Sequence, residues 1–161
     1  MARPLPPKPY RIGLAWRVAL PSSSSIAKRR AADHGLLLSI KELFDYELIE
    51  EGEIRTGTLT WYADPLQYQG PIRFEADLRN YESAVVRLQY EMDGTDLNYS
   101  VSLVFIKPAM GVHRWYFCCP VEYIRVTKLF LPPGARRFAS RQAHGLPSSP
   151  IRAKQMRRPA A

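Results

Sequence analysis

Acidic residues are absent from both ends of this 161-residue chain. All 15 Asp and Glu lie between Asp33 and Glu122. Residues 1–32 carry seven Lys or Arg, residues 125–161 carry nine, and the stretch 33–124 carries the remaining seven. This division predicts a folded, acidic body between two cationic segments that favour a polyanion.

Cysteine is scarce, and long apolar runs are missing. The two cysteines, Cys118 and Cys119, are adjacent, so a disulfide between them would need unusual geometry. Two cysteines form no secreted disulfide framework, and we expect a cytoplasmic protein. No apolar run approaches the roughly 20 residues of a membrane helix, so no membrane partner is expected. Arg17 interrupts the N-terminal apolar stretch, which favours a basic arm over a secretory signal peptide, and an organelle transit peptide stays open as an alternative.

A catalytic constellation is missing as well. The three histidines, His34, His113 and His144, show no spacing typical of a Cys–His or Ser–His–Asp arrangement. No glycine belongs to a phosphate-cradling pattern. We therefore expect neither an enzyme nor a cofactor.

Alternation of apolar and polar residues is the strongest structural signal in the chain. It covers residues 72–79, 86–92 and 97–105, with a weaker strand at 58–62. Asp93-Gly94 separates two of these runs and predicts a tight hairpin turn. One buried and one wet face indicate antiparallel pairing, so we predict a mostly β protein with minor α, built as a small antiparallel sandwich or open barrel.

One short helix is predicted near residues 40–46. Ser39 and Glu42 have the spacing of a capping box, in which each side chain satisfies a backbone N–H at the helix start. Ile40, Leu43 and Phe44 then share one face at helical spacing.

The C-terminal third predicts a β-hairpin. Strand-like residues at 124–131 and 137–139 flank Pro132-Pro133-Gly134, a turn signal. The chain is therefore divided into four parts: a basic flexible arm at 1–35, an antiparallel β body at 36–112, a hairpin unit at 113–146 and a basic tail at 147–161.

The stretches Arg114–Pro120, Arg125–Gly134 and Arg137–Leu146 resemble the C-terminal half of an uncharacterised bacterial protein family. In that family, a β-rich N-terminal part precedes a zinc-ribbon-like hairpin. The resemblance implies a hairpin bracketed by two pairs of cysteine ligands, because tetrahedral zinc takes four soft ligands.

Only one of the four implied ligands is present here. Cys119 matches the first, while its partner would fall at Glu122 or Tyr123 and the second pair at Ser140 and Ala143. One thiolate cannot hold structural zinc. We therefore expect a degenerate zinc-ribbon-like hairpin without metal, in which packing replaces the ion.

Two functions remain open from the sequence. The first is a nucleic-acid-binding accessory protein that contacts DNA or RNA through cations on and beside the hairpin, namely Arg125, Lys128, Arg136, Arg137 and Arg141. The alternative is a protein–protein interaction or structural module, with self-association or a protein partner at the acidic body. Trp115 and Tyr116 are interpreted as core or rim residues, with an exposed stacking surface as the alternative.

Overall fold

The fold was obtained as a computed structural model, which describes residues 35–61, 71–147 and 156–159. The predicted basic arm up to residue 34 and most of the predicted tail lie outside the described residues. The described part is mostly β and contains one short helix, as the sequence predicts. Its elements are β1 (Leu36–Ser39), α1 (Ile40–Asp45), β2 (Ile54–Leu59), β3 (Ile72–Asp77), β4 (Val85–Met92), β5 (Thr95–Ile106), β6 (Arg114–Cys118), β7 (Arg125–Val126) and β8 (Lys128–Leu131).

Two antiparallel sheets make up this architecture. Six strands pair in the order β2-β3-β4-β5-β6-β7, and β1 pairs with β8 in a separate two-stranded sheet. The six-stranded sheet follows the chain order, so each strand pairs with its sequence neighbour, and it does not close into a barrel. An antiparallel, open arrangement is therefore confirmed.

Alternation in the sequence translates directly into burial in β3 and β4. In β3 the side chains of Ile72, Phe74 and Ala76 are buried, while Arg73 and Glu75 are exposed. Gly57 of β2 lies opposite Phe74, and a Cβ at position 57 would stand 2.9 Å from the Phe74 ring. The glycine allows the aromatic ring to cover the neighbouring strand.

The predicted hairpin turn at Asp93-Gly94 is confirmed. Met92 and Thr95 are register partners, and Asp93 and Gly94 have φ angles of 52° and 70°. Two consecutive residues with positive φ are typical of the turn that matches the right-handed twist of its strands. This turn fixes the register between β4 and β5.

The strand predicted at 124–131 is divided by a bend at Thr127. Residues 125–126 pair with β6 in the large sheet, whereas residues 128–131 pair with β1 in the small one. The carbonyl of Thr127 accepts a hydrogen bond from the N–H of Ile40 at 3.0 Å. The break therefore passes the chain between the sheets and satisfies the first N–H of α1.

The capping box predicted at Ser39 is wrong. Ser39 lies at the N-cap position but makes no side-chain capping bond. It is instead the last residue of β1, a strand that the sequence did not predict because the side chains of residues 36–39 are all buried and show no alternation.

Glu42, the other residue of the predicted capping box, is partly buried. Burial is the main cause that raises the pKa of its carboxyl, and a hydrogen bond from the backbone N–H of Met156 partly offsets this increase.

A single hydrophobic core joins the predicted body to the predicted hairpin unit. Phe74 and Leu88 belong to the same buried cluster as Phe117, Leu129 and Phe138. β6 also pairs with β5 across the boundary placed near residue 112. The C-terminal third is thus packed into the body through shared core and shared sheet.

Phe138 lies in this core and packs against aromatic residues of the body. It is fully buried, stacks on Trp61 with ring centroids 6.0 Å apart and meets Tyr90 edge-on at 6.3 Å. Its backbone N–H donates to the Tyr99 hydroxyl at 2.8 Å.

Replacing Phe138 by Ala should lower the free energy of unfolding by about 3–5 kcal/mol, because the change removes buried ring contacts and leaves a cavity. Urea denaturation followed by tryptophan fluorescence measures this loss. Val112→Ala is the control, since Val112 is 77% exposed and its truncation should change stability by less than about 0.5 kcal/mol. Equal effects from the two substitutions would contradict the placement of Phe138.

Candidate functional site

Two turns meet at one end of the six-stranded sheet. The first, called the Cys119 turn, comprises residues 119–123 and follows β6. The N–H of Tyr123 donates to the carbonyl of Cys119 at 2.9 Å, and the N–H of Cys119 donates to the carbonyl of Ile124 at 2.9 Å. Tyr123 has a φ of 58°, which turns the chain back toward β7.

The second, called the Ser140 turn, comprises residues 140–144. It follows Ala139, which forms an isolated antiparallel bridge with Phe130 of β8. The Ser140 hydroxyl oxygen accepts the N–H of Ala143 at 2.9 Å, and the Ser140 carbonyl accepts the N–H of His144 at 3.3 Å. A serine that accepts an N–H three residues later is the geometry that caps a helical turn. Nε2 of His144 lies 2.9 Å from the carbonyl oxygen of Phe130, and burial lowers the pKa of this imidazole.

The two turns are joined by direct hydrogen bonds between their first residues. The N–H of Ser140 donates to Sγ of Cys119 at 3.2 Å, and the Ser140 hydroxyl donates to Oε2 of Glu122 at 2.7 Å. Cys119 and Ser140 are both buried, so few water molecules compete for these groups. The structure therefore brings together the positions that the resemblance assigned to Cys119, Glu122, Ser140 and Ala143.

The sulfur of Cys119 lies among hydrogen-bond donors. Burial raises the pKa of this thiol, but hydrogen bonds from the backbone N–H groups of Glu122, Ser140 and Val121 lower it by more, so the net shift of the pKa is downward. Donors aimed at a sulfur stabilise its thiolate form. The donors around this sulfur are backbone N–H groups of the two turns.

The residues present at these positions do not fit a structural zinc site. They offer one thiol, one carboxylate, one hydroxyl and one methyl group, whereas structural zinc takes four Cys or His ligands. The Ser140 hydroxyl already bonds Glu122 and Ala143. Within the ranges that the structure describes, no group of three or more His, Cys, Asp or Glu residues is arranged to hold a metal ion.

The five predicted cationic residues lie on separate elements of the fold. Arg125 is exposed on β7, the edge strand, and Arg141 lies in the Ser140 turn with its guanidinium 5.6 Å from the Phe130 ring centroid. Arg136 and Arg137 are exposed after the Pro132-Pro133-Gly134 turn. Lys128 is exposed on β8. They do not form a single stripe.

Contacts with two tyrosines hold the Arg136–Arg137 region against the body. The Arg137 guanidinium lies 5.3 Å from the Tyr99 ring centroid, and the Arg136 carbonyl accepts the Tyr90 hydroxyl at 2.6 Å. The two tyrosine hydroxyls lie 2.9 Å apart. Burial raises the pKa of Tyr99, so its hydroxyl stays protonated as a donor.

Trp115 does not form an exposed stacking surface. It is 7% exposed, packs against Phe44, Tyr81 and Phe105, and donates its Nε1–H to Glu51 at 2.7 Å. Its interpretation as a core residue is confirmed. Tyr123, 78% exposed in the Cys119 turn, is an aromatic residue that sequence reasoning missed as a surface group. The turn after Cys119-Pro120 was the one signal that could have indicated it.

Comparisons with known proteins give no relatives: no family model, no curated protein and no solved structure matches this chain. No helix in the described ranges has the length and apolar character to cross a membrane.

Ser140→Ala should lower the free energy of unfolding by about 1–3 kcal/mol, because it leaves the Ala143 N–H and the Glu122 carboxylate without their partner. Chemical denaturation measures the change. Ser100→Ala, at an exposed position of β5, is the matched control and should have little effect. A neutral Ser140→Ala would contradict the joining of the two turns through this hydroxyl.

The spacing of the turns can be tested by restoring the implied ligands. The triple variant Glu122→Cys, Ser140→Cys, Ala143→Cys should retain one zinc ion per chain after dialysis, since four thiolates would then converge. Metal analysis and the Co²⁺ absorption spectrum measure this binding. Glu122→Cys alone supplies only two of the four ligands and should retain none. A triple variant that folds but binds no metal would contradict the convergence of these positions.

Proposed function

We propose that this chain is a cytoplasmic, non-enzymatic accessory protein that binds nucleic acid through the cations of its C-terminal third. Residues 125–161 contain nine Lys or Arg and no acidic residue. The proposed contacts are made by Arg125, Lys128, Arg136, Arg137 and Arg141. Phosphate oxygens are the common chemical feature of DNA and RNA that such groups recognise.

The observation that carries this proposal is a difference in ion pairing. Four of the six cations of the predicted body are paired with nearby carboxylates: Lys41 with Asp45, Arg55 with Glu50 and Glu53, Arg79 with Asp77, and Arg87 with Glu75. Arg125, Arg136 and Arg137 are exposed and form no ion pair with any carboxylate of the described residues. Their charges are therefore available to an external anion.

The separation of the cations on different elements favours contacts with the backbone of a nucleic acid over base-specific recognition. A nucleic-acid backbone carries negatively charged phosphates at regular intervals along its length, so cations that are apart on the protein can each contact a phosphate. Tyr123 lies two residues before Arg125 and is exposed. An exposed aromatic ring beside a cation suits stacking on an unpaired base, which favours single strands.

Fluorescence anisotropy with a labelled 20-nucleotide single strand and the matching duplex tests this function. Binding at about 50 mM salt should weaken steeply as salt rises, because each neutralised phosphate releases counterions. Arg136→Gln with Arg137→Gln should weaken binding to all sequences alike and reduce the salt slope by about one to two.

The matched control is Arg79→Gln with Arg87→Gln, which removes the same charge from paired cations of the body. This control should leave affinity nearly unchanged. No binding at about 50 mM salt, or binding without a salt slope, would overturn the proposal. An equal loss in both double variants would show a net-charge effect and would contradict the assigned surface.

A second candidate, a protein–protein interaction module, is favoured by exposed apolar side chains. Met110, Val112 and Val121 are 91%, 77% and 55% exposed. A concentration-dependent dimer that does not bind nucleic acid, detected by light scattering, would support this candidate against the first.

A further inference from the structure

A groove of about 1010 Å³ lies between the β4–β5 hairpin and the Pro-Gly turn that follows β8. We call it the hairpin groove. Both the hairpin and the turn contribute to its apolar lining, which includes Leu36, Met92, Leu97, Leu131, Pro132 and Pro133. A cleft of this size with an apolar lining is large enough to hold a peptide segment or a small ligand.

The charged residues that line the hairpin groove are mainly acidic. The lining residues include three acidic residues, Glu91, Asp93 and Asp96, against the single cation Arg73. Strand alternation places Glu91 and Asp96 on the exposed face of the hairpin, at the rim of the apolar lining. None of these three carboxylates forms an ion pair among the described residues, although the body elsewhere contains five such pairs. The groove therefore combines apolar surface with uncompensated negative charge.

Two of these carboxylates are placed in direct opposition. Glu91 and Asp96 are register partners on β4 and β5. Like charges directly opposite each other destabilise a pair of strands, and a cation between them removes the cost. Because the described residues contain no group arranged to hold a metal ion, a Lys or Arg side chain is the better match.

The chain itself carries such side chains close in sequence to a residue of the groove. Leu36 lines the groove, and the segment that precedes it, residues 1–34, carries seven Lys or Arg and one acid, Asp33. Lys28, Arg29 and Arg30 stand six to eight residues before Leu36. Even a fully extended chain would keep them within roughly 20–29 Å of Leu36.

This tether favours the basic segment over other occupants. A group held on a short tether is present at an effective concentration in the millimolar range, so even weak contacts are populated. Residues 62–70, which join the groove at Pro71, carry Asp64 and no Lys or Arg, so their charge does not complement it.

We propose that the hairpin groove binds residues 1–34 of the same chain, with Lys28, Arg29 and Arg30 at Glu91, Asp93 and Asp96 and apolar side chains of the segment on the groove lining. This contact is independent of the proposed nucleic-acid surface. It joins the cationic beginning of the chain to the end of the β4–β5 hairpin.

Trypsin cleavage of the full chain, followed by mass spectrometry, tests the proposal. Cleavage after Lys28, Arg29 and Arg30 should be slow at low salt, because these residues are then held against Glu91, Asp93 and Asp96. Glu91→Gln with Asp96→Asn should accelerate cleavage at residues 28–30 by about five- to tenfold, because two charge contacts are lost. Raising the salt to about 0.5 M should give a similar acceleration in the unmodified chain.

Glu47→Gln with Glu82→Gln is the matched control, since it removes the same charge from exposed positions outside the groove. This variant should cleave like the unmodified chain. Equal cleavage in both double variants and at both salt concentrations would overturn the proposal. Protection that depends on protein concentration would also contradict it, because the segment would then bind a second copy.

Discussion

Two turns that lie 21 residues apart in the chain meet at the sulfur of Cys119. The N–H of Ser140 reaches that sulfur, and the Ser140 hydroxyl joins Glu122 to the backbone of its own turn. A buried polar network of this kind stabilises a fold only when its groups are satisfied together. Here the network links the turn that leads into the strand carrying Arg125 to the turn that contains Arg141.

Opposite charges occupy different parts of this fold for a physical reason. Four of the six Lys and Arg of the body pair with neighbouring carboxylates, as Arg79 does with Asp77, so those charges cancel locally. Residues 125–161 contain no Asp or Glu with which to do the same, and Arg136 and Arg137 remain exposed. The hairpin groove shows the converse, an excess of carboxylates. The exposed Arg136 and Arg137 thus suit an anion, whereas the hairpin groove suits a cation.

Sequence periodicity predicted the parts of the fold that have one buried and one wet face. The alternating runs at 72–79 and 86–92 correspond to β3 and β4, and Asp93-Gly94 forms the turn. β1 escaped prediction because burial on both faces removes the alternation, and the break at Thr127 escaped because it depends on a hydrogen bond to Ile40. At the candidate site, the resemblance indicated that Cys119 and Ser140 are neighbours. The donors that surround the sulfur are set by the folded backbone, so the sequence could not predict them.

Hydrogen bonds within the protein join the two turns, and the account assigns the joining to them. Thermal unfolding of the purified chain with and without EDTA, combined with metal analysis of the same sample, tests this claim most directly. The account predicts the same Tm in both conditions and less than a stoichiometric amount of metal. A Tm that falls on chelation, together with one metal ion per chain, would contradict it, because a metal ion and not the Ser140–Cys119–Glu122 network would then hold the turns together.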